Sequence, residues 1–262
     1  MSEQKRTILK VEHLTKRFGG LTAVSDVSMH IDEGEFIGLI GPNGAGKTTF
    51  FNNITGNLTP TEGTIEFRGK SILKKDPAQI SHMGVSRTFQ NIRIFPKMTV
   101  LENVCIPLHS RPTYDIFSAL LGLPHTKRRD AAIREEALGF LARLGIEEYK
   151  DHQAGALPYG LQRRLEIARA LAAHPSLLLL DEPAAGMNND ECNELVELLR
   201  GIHQDYHLSI MLIEHHIDVV LNLCDRIYVL NLGALLTEGT PQQIQSDPEV
   251  IRAYLGERRN KS

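Results

Sequence analysis

The stretch Gly41-Pro42-Asn43-Gly44-Ala45-Gly46-Lys47-Thr48 has the form G-x-x-x-x-G-K-T and follows directly on the apolar run Phe36-Ile37-Gly38-Leu39-Ile40. A buried strand that leads through a glycine-rich turn into a helix is the setting in which this pattern forms a P-loop. The backbone N–H groups of such a turn and the positive end of the helix surround a phosphate group. The sequence therefore predicts that this chain binds a nucleoside triphosphate.

Each residue type in this loop suits one task. Glycine lets the backbone approach phosphate oxygens and adopt positive φ, which we expect of Gly41, Gly44 and Gly46. The Lys47 ammonium is expected to neutralise charge on the β and γ phosphates, and the Thr48 hydroxyl to ligate Mg²⁺. The predicted nucleotide-binding residues of this segment are Gly41, Pro42, Asn43, Gly44, Ala45, Gly46, Lys47, Thr48 and Thr49.

The composition restricts the class of protein. A chain of 262 residues suffices for one large domain or for one domain with an inserted lobe. The formal charge of −3 gives no electrostatic reason to expect a nucleic-acid partner, and we expect none. Three cysteines without a C-x-x-C pattern favour a reducing compartment over a disulfide framework. No stretch has the length of a membrane span and no signal-type apolar core follows residue 6, so we expect a cytosolic protein.

The hydrophobic pattern predicts strands and helices in alternation. The predicted strands are 8–11, 23–31, 36–40, 63–69, 177–180, 209–213 and 226–230, and the predicted helices are 48–54, 134–144, 161–173, 190–203 and 216–223. This order indicates an α/β fold with a mostly parallel sheet, covered by helices on both faces, and with a small N-terminal antiparallel β layer. Residues 91–174 are predicted to form an inserted helical lobe, with the apolar segment 115–123 packed inside it.

A second segment predicts the rest of the phosphate site. The run Leu177-Leu178-Leu179-Leu180 ends in Asp181-Glu182-Pro183, a Walker B pattern. A continuous apolar run is typical of a strand buried on both faces, and ligands bind at the carboxyl ends of such strands. We expect Asp181 to hold Mg²⁺ through its water shell. Glu182 is expected to act as the general base on the attacking water, a role typically worth ~10²–10⁴-fold in rate.

Between these two segments lies Leu157-Pro158-Tyr159-Gly160-Leu161-Gln162-Arg163-Arg164, at the start of a predicted helix. Here the chain resembles the ABC ATPases, whose signature motif is usually Leu-Ser-Gly-Gly-Gln and lies shortly before Walker B. The other motifs of that family follow in order. The segment Arg87-Thr88-Phe89-Gln90-Asn91 matches the Q-loop, Ala185-Gly186-Met187-Asn188 matches the D-loop, and His215 matches the switch histidine.

The resemblance implies further site residues. Gln90 and His215 would act with Glu182 in catalysis, Gln90 would also be a Mg²⁺ residue, and Phe18 would stack on adenine. Two ATPase chains would dimerise head to tail, each ATP lying between one P-loop and the signature helix of the other chain. The residues involved would be the signature residues Pro158, Tyr159, Gly160, Leu161 and Gln162 and the D-loop residues Gly186, Met187 and Asn188.

Several segments narrow the resemblance to the ATPases of bacterial branched-chain amino-acid importers of the LivG type. These segments are 17–21, 87–90, 162–168, 182–186 and 247–257. The resemblance implies a second ABC ATPase subunit, the same or a related chain, and two integral membrane permease subunits. A periplasmic binding protein would be an indirect partner, and this chain would be peripheral on the inner face of the cell membrane. ATP and Mg²⁺ would be its cofactors.

The signature departs from the family pattern. Pro158 replaces the usual serine, so a hydroxyl donor is missing and proline offers no N–H in its place. Leu161 replaces a more usual polar residue, and His216 stands where an acid commonly follows the switch histidine. We expect the N–H groups of Gly160, Leu161 and Gln162 to receive the anion instead. Hydrolysis should then be slow but real.

Other functions remain compatible with the sequence. The resemblance also extends to the ATPases of transporters for urea, amides or lipopolysaccharide. The sequence does not identify the transported molecule, because that molecule does not contact this type of subunit. A soluble ABC ATPase that acts on nucleic acid or ribosomes would usually carry two ATPase halves or basic arms, whereas this chain has one P-loop. A module that binds ATP without hydrolysing it is disfavoured by the Asp181-Glu182 pair and favoured by Pro158.

Overall fold

The computed structural model describes residues 6–109 and 124–259, which belong to two compact units. The first unit consists of Met1–Arg87 and Ser176–Ser262, and the second consists of Thr88–Pro175. The first unit therefore contains both the P-loop and the Asp181-Glu182 segment, while the second contains the signature segment. The apolar segment 115–123 lies outside the described residues.

The first unit contains a four-stranded antiparallel sheet with the strand order β2-β1-β4-β5. Its strands are β1 (Thr7–Phe18), β2 (Leu21–Asp32), β4 (Glu62–Phe67) and β5 (Lys70–Ser71). The first two strands are longer than the predicted segments 8–11 and 23–31. The β1–β2 register shifts between Val11 and Leu14, and such a bulge breaks the period-two pattern on which the sequence prediction depends. The predicted N-terminal antiparallel layer is confirmed.

The first unit also contains a six-stranded sheet with the order β10-β9-β3-β8-β7-β6. Its strands are β3 (Phe36–Ile40), β6 (Val85–Arg87), β7 (Leu177–Asp181), β8 (Ser209–Ile213), β9 (Arg226–Asn231) and β10 (Ala234–Gly239). Only the β9–β10 pair is antiparallel among these neighbours. Every residue of β3, β7 and β8 is buried, which explains their continuous apolar sequences. The predicted mostly parallel sheet is confirmed.

The helices of the first unit lie between these strands in the chain or follow the last of them. They are α1 (Lys47–Ile54), α2 (Pro77–His82), α6 (Asn189–Tyr206), α7 (Ile217–Leu223), α8 (Pro241–Ser246) and α9 (Pro248–Arg259). Helix α1 ends at Thr55, and Gly56 follows with a φ of 72°, as expected for a glycine after a helix. The start of α6 is stabilised by a capping box between Asn188 and Glu191.

The second unit is helical and has its own core. Its helices are α3 (Val100–His109), α4 (Pro124–Arg143) and α5 (Tyr159–Ala172), with short 3₁₀ turns at Glu147–Tyr149 and Ala154–Ala156. Helix α3 packs against both α4 and α5. The buried side chains include Val104 on α3, Leu141 on α4 and Leu165 on α5. Residues 88–99 precede α3 without regular helix.

One core joins the two sheets and α1 in the first unit. It contains Leu9 and Ile31 of the antiparallel sheet, Leu39 of β3, and Phe50 and Phe51 of α1, all fully buried. The alternation of β1 and β2 points one set of side chains into this core, while α1 contributes the aromatic residues that follow the P-loop. The P-loop therefore connects two packed elements, β3 and α1, and these hold its two ends in place.

A close packing contact at Gly38 in β3 gives a test of this arrangement. A Cβ built on Gly38 would lie 2.7 Å from Cγ1 of Val220 on α7. We expect Gly38→Ala to lower the free energy of unfolding by about 1–3 kcal/mol, because extra volume in a packed core forces neighbours to shift. The measurement is thermal unfolding followed by circular dichroism.

The matched control is Gly139→Ala in α4, where an added Cβ would meet no heavy atom within 4 Å. Alanine should leave the stability at this exposed helix position unchanged or raise it by up to about 1 kcal/mol. The account of β3 packing would be wrong if Gly38→Ala unfolded at the same temperature as the unchanged chain.

Candidate functional site

The P-loop has a backbone that only glycine adopts readily. Gly41, Gly44 and Gly46 have φ values of 151°, 78° and 98°, so the predicted positive φ is confirmed at all three positions. Two of them also face a neighbouring main chain. A Cβ on Gly41 would lie 2.1 Å from the carbonyl oxygen of Leu230, and a Cβ on Gly46 would lie 2.4 Å from that of Ala23. The loop is therefore clamped between β9 and β2.

The Lys47 side chain is buried within the loop. Its Nζ donates to the carbonyl oxygen of Gly41 at 2.6 Å and to that of Pro42 at 3.0 Å. The N–H of Ala45 also donates to Pro42, and the N–H of Gly233 donates to Ala45. These bonds hold the loop around the ammonium group at the positive end of α1, an arrangement suited to an anion. Thr48, the next residue of α1, is exposed.

Asp181 lies at the end of β7 and forms a buried ion pair that the sequence reasoning missed. Its Oδ2 accepts from Nη2 of Arg87 at 2.6 Å, and the two side chains are only 3% and 6% exposed. Arg87 ends β6, the strand next to β7, and its Nη1 also donates to Oδ1 of Asn52 on α1 at 2.7 Å. Arg87 thus connects the Walker B carboxylate to the P-loop helix.

Glu182 and His215 meet directly. Oε1 of Glu182 lies 2.9 Å from Nε2 of His215, and the histidine side chain is 39% exposed while that of Glu182 is 13% exposed. Glu182 has a φ of 48°, a conformation that a residue with a side chain rarely adopts. Its N–H donates to the carbonyl oxygen of Ile213 at 2.9 Å. The turn after β7 is therefore bonded to the end of β8 and directs the carboxylate toward the histidine.

These residues lie at one edge of the parallel sheet. Strands β3, β7 and β8 are parallel, and Asp181 is in register with Ile213. Their carboxyl ends lead respectively into the P-loop, into Glu182 and into His215. The structure therefore brings together the predicted P-loop, Walker B and switch positions in the first unit. Such an edge is where open α/β sheets bind ligands.

Phe18 and the predicted D-loop residues also lie in the first unit. Phe18 ends β1 and is 45% exposed, and Nζ of Lys16 lies 5.0 Å from the centre of its ring. In the D-loop segment, Gly186 has a φ of 79° and the N–H of Met187 donates to the carbonyl of Ala184. The Asn188 side chain accepts from the N–H groups of Asp190 and Glu191, so it caps α6.

The signature residues lie at the start of α5 in the second unit. The helix begins at Tyr159, two residues earlier than predicted, and Pro158 is its N-cap. The expectation that the N–H of Gln162 receives an anion is wrong, since this group donates to the carbonyl of Pro158 at 3.0 Å in the first helical bond. The N–H groups of Tyr159, Gly160 and Leu161 belong to the first turn, where a helix supplies no backbone acceptor.

A buried ion pair on α5 contacts the segment that contains Gln90. Arg163 is fully buried and donates to Glu166 at 2.7 Å, to the carbonyl of Phe89 at 2.7 Å and to that of Gln90 at 3.0 Å. Glu166 accepts from the N–H of Arg93 at 3.1 Å. Gln90 itself is exposed. Within the second unit, the signature helix therefore fixes the backbone of the predicted Q-loop.

Comparisons with known proteins agree with this geometry. The family described as ABC transporter matches residues 24–185, and the family described as branched-chain amino acid ATP-binding cassette transporter matches residues 234–259. The high-affinity branched-chain amino acid transport ATP-binding protein LivG of Salmonella typhimurium is 47% identical over 250 residues, which cover 95% of this chain and 98% of that protein.

Two solved structures are also similar. The ADP conformation of MJ1267, an ATP-binding cassette of an ABC transporter, has a TM-score of 0.82 and 33% identity. The match covers 95% of this chain and 99% of the MJ1267 chain. The dimeric post-hydrolysis state of the ATP-binding cassette MJ0796 bound to ADP and Pi has a TM-score of 0.75 and 26% identity. The match covers 89% of this chain and 98% of the MJ0796 chain.

The fold, the P-loop and these matches define the class: the chain belongs to the ATP-binding subunits of ABC transporters. It is an ABC ATPase, and a domain of this family binds nucleotide. No helix among residues 6–109 and 124–259 combines the length and apolar character that crossing a membrane requires.

The Arg87–Asp181 pair gives a stability test. We expect Arg87→Met to lower the free energy of unfolding by about 3–5 kcal/mol, because Asp181 stays buried and loses the cation bonded to its Oδ2. Urea unfolding followed by circular dichroism measures this change.

The matched control is Arg17→Met, which removes the arginine of the exposed Arg17–Glu62 pair on the antiparallel sheet. An exposed pair contributes at most about 1 kcal/mol, so this variant should stay close to the unchanged chain. Equal stability of the two variants would contradict the role assigned to Arg87.

Proposed function

We propose that this chain hydrolyses ATP with Glu182 as general base and thereby powers a bacterial importer of branched-chain amino acids. The observation that carries the proposal is the 2.9 Å contact between Glu182 and His215 at the sheet edge where the P-loop begins. A carboxylate held by a neighbouring histidine can accept a proton from water. His215 orients that carboxylate and contacts the γ-phosphate.

The P-loop supplies the nucleotide site in this proposal. Backbone N–H groups of the loop receive the phosphate oxygens, and Lys47 moves from its contacts with the Gly41 and Pro42 carbonyls to the β and γ phosphates. The exposed ring of Phe18 stacks on adenine. Because the loop is clamped by its neighbours, its backbone loses little conformational freedom when nucleotide binds.

Mg²⁺ fits the oxygen donors that the site presents. The exposed Thr48 hydroxyl would hold the ion directly and the Asp181 carboxylate would hold it through its water shell, and both are hard oxygen ligands of the kind that Mg²⁺ prefers. Gln90 would complete the set through its side-chain oxygen. When bound, the ion neutralises charge on the phosphates. Arg87 orients Asp181 through the buried ion pair.

A second ATPase chain completes each nucleotide site. The first turn of α5, from Pro158 to Leu161, presents N–H groups and the positive helix end to the γ-phosphate bound by the partner chain. Gly186, Met187 and Asn188 form the D-loop of this proposed interface. The dimeric form of MJ0796 supports this assembly. Because Pro158 adds no hydroxyl or N–H donor, hydrolysis is slow but exceeds that of a chain without Lys47.

The transport partners are inferred from the relatives. LivG is named as a branched-chain amino acid transport protein, and residues 234–259 match a family of the same description. We therefore assign this chain two permease subunits, which place it on the inner face of the cell membrane, and an indirect periplasmic binding protein. Segment 91–96 receives a helix of the permease.

The catalytic roles give a direct prediction. Glu182→Gln should lower kcat by about 10²–10⁴-fold, because the amide cannot accept the proton, while ATP still binds with unchanged affinity. Lys47→Ala should instead weaken ATP binding, since its ammonium meets the phosphates. Phosphate release and fluorescent-nucleotide titration on each purified variant separate the two effects.

The unchanged chain should release phosphate measurably faster than Lys47→Ala does. If both release it at the same rate, the chain binds nucleotide without hydrolysing it. Full turnover by Glu182→Gln would show that another group accepts the proton.

The transported molecule needs a separate test in the source organism. We expect deletion of the gene to abolish high-affinity uptake of radiolabelled leucine, isoleucine and valine, and the tagged chain to copurify with two integral membrane subunits. The matched control is complementation with Lys47→Ala, which should not restore uptake. Normal leucine uptake together with lost urea or amide uptake would move the assignment to one of those transporters.

A further inference from the structure

Glu214 is a buried carboxylate to which neither the sequence motifs nor the proposed chemistry gives a role. It directly follows β8 and precedes His215, and it is only 1% exposed. Among the described residues, no lysine or arginine forms an ion pair with it. A buried charge without a counter-ion costs much free energy unless hydrogen bonds satisfy it. The donors that satisfy Glu214 therefore indicate what this residue does.

Within the part of the chain that the structure describes, the donors to Glu214 are backbone N–H groups from two different loops. Oε1 accepts from the N–H of Ala184, two residues after Glu182, at 2.6 Å. Oε2 accepts from the N–H groups of His215 and His216 at 2.9 and 3.3 Å. One side chain thus bridges the turn after β7 and the turn after β8. Charge-assisted bonds of this kind are stronger than neutral ones.

The two turns also carry the groups that meet at the site. The N–H of Glu182 donates to Ile213, and the Glu182 carboxylate contacts the His215 ring. Glu214 adds a third connection between the two turns. It accepts from the N–H of Ala184, which follows Glu182 in the chain, and from the N–H of His215 itself. The backbone turns that carry the two functional side chains are therefore connected by a buried carboxylate.

We propose that Glu214 is a positioning residue that fixes the general base Glu182 relative to the switch histidine His215. The inference rests on the roles proposed above for these two residues. Glu214 exchanges no proton with the substrate. It sets the backbone of both turns, so that Glu182 faces the attacking water when nucleotide is bound. Misplacing a reacting group by about 1 Å can cost about 10²-fold in rate.

Glu214→Gln tests this role with little change in shape. The amide keeps one acceptor oxygen but turns an N–H₂ group toward at least one of the N–H donors, so that one turn loses its anchor. We expect kcat of the full-length chain to fall at least ten-fold while the Kd for ATP stays within three-fold. Phosphate release and nucleotide titration give the two quantities separately.

The matched control is Glu35→Gln. Glu35 is also a buried carboxylate that accepts a backbone N–H, from Asp32 at 2.9 Å, and it pairs with Arg226. It precedes β3, at the strand end opposite the P-loop. This variant should lose thermal stability yet keep its kcat per folded molecule. An equal fall of kcat in both variants would show a general effect on folding and overturn the proposal.

Other outcomes are also decisive. If Glu182→Gln stops turnover while Glu214→Gln hydrolyses ATP at the unchanged rate, the positioning role is wrong and the proposed base stands. If Glu182→Gln itself hydrolyses ATP at the unchanged rate, the proposed function is wrong in its assignment of Glu182 as the general base. Should Glu214→Gln not fold, Glu214→Asp replaces it, because the shorter carboxylate cannot reach both turns. Failure of both variants to fold would mean that Glu214 acts in folding alone, which overturns the proposal.

Discussion

At Gly41 and Gly46 the P-loop passes so close to two neighbouring main chains that neither position has room for a side chain. A Cβ at Gly41 or Gly46 would lie within 2.5 Å of a carbonyl oxygen, on β9 in one case and on β2 in the other. The packing of these main chains therefore sets the shape of the loop, with Lys47 inside it. The rest of the site depends on this constraint, because the other chemical groups are placed by the strands on either side of the loop.

The parallel sheet provides that placement. Strands β3, β7 and β8 are buried on both faces and end at one edge, so their following turns meet there. Buried charged groups then connect the turns. Arg87 joins Asp181 to Asn52 of α1, and Glu214 joins the turn of Glu182 to that of His215. A buried polar network of this kind holds one arrangement when all its members are bonded.

The sequence predicted the strands and loops of the site, because long buried runs and glycine spacing are local signals. It did not predict β6, which has three residues, or the partly exposed β10. The sequence pattern does not reveal that Arg87 pairs with Asp181, and it indicates no role for Glu214. A contact between residues far apart in the chain leaves no local pattern. The bond that removes the Gln162 N–H from anion binding likewise depends on where α5 begins.

The central claim is that the clamped P-loop and the Glu182–His215 edge form one nucleotide site. A crystal structure of Glu182→Gln grown with ATP and Mg²⁺ tests it most directly. The account predicts the triphosphate inside the loop formed by residues 41–48, with Lys47 on the β and γ phosphates and His215 at the γ-phosphate. A nucleotide bound elsewhere on the chain, or a P-loop that must unfold to admit it, would contradict the account.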